Sequence, residues 1–233
     1  MITFFRFFLM AIWSAVLMVV SPLLIPVFMS RKVPLFVGRY VFSPVLLPVV
    51  GIDLTTNGAE NVPQDRPVIF VSNHCSHFDI ACLFRAVPRY IYFVAKKELL
   101  WTPFLGFHLW AAGHILIDRK NRAKAVKSLR KAAQKIKGGK CVTLYPEGTR
   151  STDGEVGPFK KGAFHLAIDA GVDIVPIYID GTFKIWPKGR FTIKPGKVTV
   201  NIGKPITTAN YTKQTSNEFA QKAREEVLKL KPE

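Results

Sequence analysis

Acidic side chains are scarce in this sequence: 16 Asp and Glu stand against 33 Lys and Arg, a formal net charge of +17 over 233 residues. That imbalance calls for an anionic partner or surface. Cysteine is scarcer still. Cys75, Cys82 and Cys141 are odd in number and follow no CxxC spacing, which argues against a disulfide framework and suits a reducing compartment. Charge of either sign is missing from one long stretch, since no residue between Arg6 and Arg31 is charged. Apolar residues, by contrast, are plentiful. The chain is 48% hydrophobic with 18 Phe, which excludes a disordered basic tail and implies a folded protein facing something anionic.

The uncharged run "FFLMAIWSAVLMVVSPLLIPVFMS" has no convincing small-residue cleavage site after it, so a signal peptide is not expected. Pro22 and Pro26 are expected to break or kink a helix there. At about 1.5 Å per residue, the part before Pro22 is short of the roughly 30 Å hydrocarbon core of a bilayer. A second apolar stretch, "VPLFVGRYVFSPVLLPVVGI" (33–52), is interrupted by Arg39 and three prolines. Residues 1–50 are therefore expected to form a pair of membrane-embedded helices held in one leaflet. A single crossing and a soluble core helix are the alternatives.

After about residue 54 the pattern changes. Short β-branched and aromatic runs at 68–72, 90–95, 114–118, 141–145, 173–179 and 198–202 read as buried strands. Between and after them, 77–86, 121–137, 162–170 and 216–230 read as helices. In 121–137, Ala123, Val126, Leu129, Ala133 and Ile136 mark one buried face. The alternation predicts an α/β domain over 51–233, with a central, largely parallel sheet flanked by helices. Sites in such sheets form at the carboxyl ends of strands. Three polar loops belong there: "NHCSHFD" (73–79), "DRKN" (118–121) and "PEGTRS" (146–151).

The first loop offers several chemistries. Ser76 followed by Asp79 is a capping-box pattern, so Asp79 could simply start a helix with Ser76 as N-cap. His77 and Asp79, two apart on that helix, would not face each other. His74 lies before the cap on a chain that turns back, within reach of Asp79. A His–carboxylate pair fixes the ring tautomer and stabilises the imidazolium formed when the ring takes a proton. Amide N–H groups at the helix N-terminus could serve a developing oxyanion. The spacing of His74, Cys75, His77 and Asp79 matches no zinc pattern, and Cys75 as a nucleophile would need a depressed pKa. In "YPEGTRS", Gly148 allows close backbone approach, Thr149 and Ser151 offer hydroxyls, and Arg150 suits bidentate capture of a phosphate. Arg119 could grip the same phosphate, or be merely solvated.

Taken together, these blocks resemble the glycerolipid acyltransferase family, most closely its 1-acylglycerol-3-phosphate (lysophosphatidate) branch. "NHCSHFD" is similar to the NHxSxxD block, with His74 and Asp79 as its HX4D pair. "GHILIDR" (113–119), "YPEGTRS" and "IVPIYI" (174–179) resemble the second, third and fourth blocks, in the right order. The departures are Cys75 at a variable position and Tyr145 where phenylalanine is usual. The resemblance implies transfer of a fatty acyl group from an acyl-carrier protein or coenzyme A thioester to the free hydroxyl of lysophosphatidic acid. The product would be phosphatidic acid, made without metal or organic cofactor. It implies His74 as general base with Asp79 orienting it. Arg119, Glu147, Gly148, Thr149 and Arg150 would form the acceptor site. It also implies the cytoplasmic face of the cell membrane, with anionic phospholipid as a partner of the basic surface. A thioesterase or lipase using the same pair, and an acyltransferase for another lysophospholipid, remain as alternatives. Nucleic acid is not an expected partner, because no recognition motif accompanies the charge.

Overall fold

The computed structural model describes residues 2–118, 122–190 and 192–232. Its first fifty residues are almost wholly helical. Helix α1 (Ile2–Leu23) carries Pro22 in its last turn, where the ring has no N–H to donate to the preceding turn, and the helix breaks two residues later at Leu24. A short turn, α2 (Ile25–Phe28), opens with Pro26 near its start and ends on Met29 in the left-handed region, φ 49°. The chain then continues through α3 (Val33–Val37), a π-helical turn at Gly38–Phe42 and α4 (Ser43–Val49). Pro44 has no N–H to give at that point, and the N–H and hydroxyl of Ser43 both reach back to the Gly38 carbonyl, the hydroxyl at 2.9 Å.

Seven strands follow: β1 (Ile52–Asn57), β2 (Ile69–Ser72), β3 (Ile91–Lys96), β4 (Ile115–Ile117), β5 (Cys141–Leu144), β6 (Ile174–Asp180) and β7 (Gly196–Ile202). They form one sheet in the order β1-β7-β6-β2-β5-β3-β4, parallel throughout except at β6–β7. Between and after them lie α5 (Phe78–Ala86), α6 (Leu105–Ala111), α7 (Arg122–Lys137), α8 (Gly162–Ala170), α9 (Thr182–Ile185) and α10 (Ser216–Lys229). Helix α5 packs on α4, while α7, α8 and α10 pack together as a second group. Central strands β2 and β5 are buried on both faces and read as unbroken apolar runs, as parallel strands between helices must.

The α/β class with a mostly parallel sheet is as expected, and so is the set of four longer helices. Several local expectations are corrected. Strand β1, with its polar sequence IDLTTN and alternating burial, was not expected; it is an edge strand that shows only one face to the core. The apolar stretch 99–110, to which no strand or helix was assigned above, overlaps a 3-10 turn at Lys97–Trp101 and holds most of α6. Among the described side chains of α7, which exclude that of Ala123, the buried ones are Ala132, Ala133 and Ile136, whereas Val126 is 46% exposed. Among the described residues no helix is long and apolar enough to cross a membrane, so the single crossing has no support. Instead α1 lies along the α/β unit. Its inner side chains Phe7, Met10 and Trp13 pack on the core, and Leu35, Leu46, Leu47 and Val50 of the following helices belong to that core outright.

Candidate active site

Strands β2, β5, β3 and β4 all run in one direction, so the loops leaving their carboxyl ends share one edge of the sheet. The loop after β2 is anchored at its root. Asn73 is buried and zips onto β6, its Nδ2 donating to the Ile179 carbonyl at 2.9 Å while its Oδ1 accepts the Ile179 N–H at 2.8 Å. This fixes where the strand stops and His74 begins.

His74 Nδ1 lies 2.7 Å from Asp79 Oδ2. The same oxygen accepts the backbone N–H of Cys75 at 2.7 Å and of Ser76 at 2.8 Å. Three donors converging on one buried oxygen hold Asp79 as a pure acceptor, which assigns the proton to Nδ1 and leaves the lone pair on Nε2. Asp79 is fully buried and its other oxygen, Oδ1, has no hydrogen-bond partner among the described residues. Tyr145 stacks beneath the imidazole, with ring centroids 3.8 Å apart and planes 10° from parallel. The ring is therefore held by a hydrogen bond at one edge and an aromatic face below.

The third loop is tied directly to the first. Glu147, buried, accepts the His74 N–H on Oε1 at 2.9 Å and the Gly157 N–H on Oε2 at 3.0 Å. Burial raises its pKa, partly offset by those two amides. Ser151 N–H donates to the His74 carbonyl at 2.7 Å. Gly148 has φ +75°, and a Cβ there would meet Lys160 Nζ at 2.9 Å. Lys188 Nζ donates to Thr149 Oγ1 at 3.2 Å. Lys160, Lys188 and Arg150 thus border one exposed loop. Neither lysine is conspicuous in the sequence: Lys160 follows the loop a few residues on and its N–H bonds back to the Pro146 carbonyl, while Lys188 comes from beyond β6 and only the fold brings it here. Arg119 lies outside the described residues.

Other expectations at this edge need correction. Helix α5 begins at Phe78 with His77, not Ser76, as its N-cap residue. The reciprocal half of the capping box is nevertheless present as the Ser76 N–H to Asp79 bond, and Ser76 Oγ donates to the Trp186 carbonyl at 2.9 Å. Most amides at the helix entry are already engaged: those of His74, Cys75, Ser76 and Phe78 give their hydrogens to Glu147, Asp79, Asp79 and Ser76. They are not free to serve an oxyanion. Glu147 likewise spends both oxygens on backbone amides, which makes it a brace between the loops. Ser151 spends its hydroxyl inside its own loop, donating to Asp153 and accepting from Gly154.

His77 points away from Asp79. Its ring lies 5.0 Å from that of Trp186, and desolvation, helped by Arg150, pushes its pKa down to about 4 although the residue keeps an exposed rim. Cys75 is buried and its thiol is pushed up to about 12, first by burial and then by Asp79 and Glu147. A thiol so held stays protonated and is a poor nucleophile. Among the described residues no three His, Cys, Asp or Glu side chains gather as a metal ion would need.

The family described as Acyltransferase matches residues 53–180, the stretch that holds His74, Asp79 and the loop around Glu147. The chain belongs to that acyltransferase family. A 1-acyl-sn-glycerol-3-phosphate acyltransferase of Saccharomyces cerevisiae is 37% identical over 190 residues, covering 80% of this chain and 62% of the yeast protein. The mouse protein named 1-acyl-sn-glycerol-3-phosphate acyltransferase alpha is 33% identical over 235 residues, 96% of this chain and 80% of its own. The chain thus spans under two thirds of some relatives, such as the yeast protein, and more of others. A crystal structure of the 1-acyl-sn-glycerophosphate (LPA) acyltransferase from Thermotoga maritima superposes with a TM-score of 0.79. It is 29% identical and covers all of this chain and 96% of that one. The acyltransferase fold therefore extends over the N-terminal helices as well as the sheet.

Proposed function

We propose that this acyltransferase moves a fatty acyl group from an acyl-carrier protein or coenzyme A thioester to the free hydroxyl of 1-acylglycerol-3-phosphate, giving phosphatidic acid. The observation that carries the reading is the 2.7 Å contact between His74 Nδ1 and buried Asp79, with Nε2 left free. The names of the relatives point to the acceptor.

His74 Nε2 takes the proton of the acceptor hydroxyl as its oxygen attacks the thioester carbonyl. Asp79 stabilises the imidazolium, and Tyr145 and the Glu147 brace keep the ring from turning. The tetrahedral intermediate collapses with loss of the thiolate, which takes the proton back from Nε2. No water is consumed, and the base ends as it began. Arg150, Lys160 and Lys188, with Thr149 and Gly148 between them, offer the acceptor phosphate a cationic rim. Arg119, on the strength of the sequence resemblance alone, is assigned to the same phosphate. No step of this scheme calls on a metal or an organic cofactor.

The outer side of α1 is apolar too: Phe8, Ile12, Val16, Val20 and Leu23 are exposed, as are Phe107 and Trp110 on α6. These two helices pack against each other. A joint apolar face on a chain of net charge +17 suits the surface of an anionic bilayer, entered from one side without crossing. The cytoplasmic face of the cell membrane is the proposed location.

Purified protein offered lysophosphatidate with each thioester donor tests the reading. Phosphatidic acid that disappears in His74→Ala supports it. Free fatty acid as the sole product would instead establish a thioesterase or lipase.

A further inference from the structure

Away from the His74 edge, a cavity of about 270 Å³ opens between α6, β4, α7 and the turn that joins α2 to α3. It lies at the amino end of the edge strand β4, where Gly113 and His114 line its floor; the catalytic loops leave the carboxyl ends of the same parallel strands. Its rim carries Arg31 from the turn and Ser128, Lys131 and Lys135 from α7. The last three, at i, i+3 and i+7, stand on one helix face. None of the three cations makes an ion pair among the described residues. Lys140 adds a further charge from behind, its Nζ donating to the Gly113 carbonyl at 2.9 Å and lying 3.9 Å from the Tyr92 ring centre. Burial and the proximity of Lys135 and Arg31 push its pKa down to about 8, the mark of cations crowded without a counter-ion.

The wall and the approaches are apolar. Trp110 lines the cavity and is 64% exposed, and Val27, Phe28 and Met29, 63–89% exposed, immediately precede Arg31. Helix α1 connects this end of the molecule with the other. Near its start Phe7 meets Trp186, which also touches the His77 and Phe78 rings, and near its end the Ser21 hydroxyl lies 3.4 Å from His108. A lipid surface against the outer side of α1 would therefore reach both the catalytic edge and this cavity.

We propose that the Arg31–Lys131–Lys135 cavity is a second anionic site, which takes the phosphate headgroup of a membrane phospholipid while the flanking apolar residues sit among its acyl chains. The group recognised is a phosphate ester; its source is the bilayer and not the free anion. Three cations and a serine hydroxyl offer a phosphate's anionic oxygens opposite charge and hydrogen-bond donors, and the exposed tryptophan belongs at the headgroup level. The inference rests on the membrane placement proposed above and goes beyond it in assigning a headgroup site.

The test is sedimentation with vesicles of phosphatidylcholine alone and of phosphatidylcholine mixed with phosphatidylglycerol. It compares Lys131→Ala/Lys135→Ala with the control Lys197→Ala/Lys204→Ala, which removes equal charge near β7, toward the far end of the sheet. The cavity variant should lose about 25-fold in affinity for the mixed vesicles, at about fivefold for each lysine. The control should lose less than about threefold by the same measure of surface attraction. Equal losses in the two variants would overturn the site in favour of diffuse charge. If inorganic phosphate raises the unfolding temperature of the wild type but not of the cavity variant, while vesicle binding is equal in both, the ligand is free phosphate and the lipid assignment fails. The two layers of the reading separate cleanly. No binding of the wild type to either vesicle defeats the membrane placement itself, whereas wild-type binding that the cavity variant fully retains defeats only the headgroup site. Lys131→Arg/Lys135→Arg, which keeps the charge, should bind like the wild type and so exclude a folding defect. Acyl transfer in detergent should be unchanged in the cavity variant, because the catalytic edge is untouched.

Discussion

His74 and Asp79 divide the work between a ring that must change protonation and a carboxylate that must not. Replacing His74 by Ala should lower kcat by about 10²–10⁴-fold, the usual worth of a general base, in a steady-state transfer assay. His77→Ala should stay within about tenfold of wild type, an ordinary first-neighbour effect, because its ring meets Trp186 and not Asp79. Cys75→Ser should remain active, since a thiol held at about 12 supplies no thiolate; complete inactivity with the fold intact would reopen a covalent route. Arg150→Ala and Lys188→Ala should each raise KM for lysophosphatidate by about tenfold with a smaller change in kcat, as loss of a charge-assisted contact would. Much of this was legible in seven letters, because helix geometry separates His74 from His77 without a structure. The Glu147 brace, the Tyr145 platform and the two lysines were not. They depend on β2 and β5 lying side by side and on segments far apart in sequence meeting at one edge.

Elements differ in how openly the sequence shows them. Buried parallel strands and α7, α8 and α10 announce themselves by period and composition. Strand β1 does not, because an edge strand with polar outward positions mimics a loop. Helix α6 is hidden by its length, seven residues between Pro103 and Gly113. That helix nevertheless carries a consequence. His108 on α6 is half-buried and His114 before β4 is buried, with ring centroids 5.9 Å apart, and His114 Nδ1 accepts the Phe93 N–H at 3.0 Å. Burial depresses their pKa values to about 4 and about 3. Both therefore bind fewer protons folded than unfolded, where the ordinary value is about 6.5. Their contribution to stability is present above pH 6.5 and is lost progressively as pH falls toward 4. Urea unfolding should show stability declining between pH 7 and about pH 5, ahead of most carboxylate titration, and His114→Gln should flatten that decline. A flat profile in the wild type would contradict the burial argument.

At the scale of the molecule, a surplus of positive charge and an apolar flank are found on one chain. Each was visible in the composition; their arrangement was not. The sequence suggested helices held within a leaflet, and the fold instead shows α1 as a rib packed along the α/β unit, apolar on its inner and outer sides alike. Helix α1 ends one residue past Pro22, and the turn at Leu24–Ser30 brings the chain back to the same body. If the outer side meets lipid, Ile12→Asp and Val16→Asp should each weaken binding to phosphatidylcholine vesicles by about a hundredfold, as a charge placed among acyl chains costs about 2.5–3.5 kcal/mol. Far-ultraviolet dichroism should stay unchanged, because neither side chain belongs to the core.

All of these expectations hang on the reaction itself. The most direct measurement is product analysis with wild type and His74→Ala, given lysophosphatidate and a labelled acyl thioester under identical conditions. Labelled phosphatidic acid is expected from the wild type, about 10²–10⁴-fold less of it from the variant, and no accumulation of free fatty acid. Labelled phosphatidic acid formed equally well without His74, or label released only as free fatty acid, would contradict the mechanism.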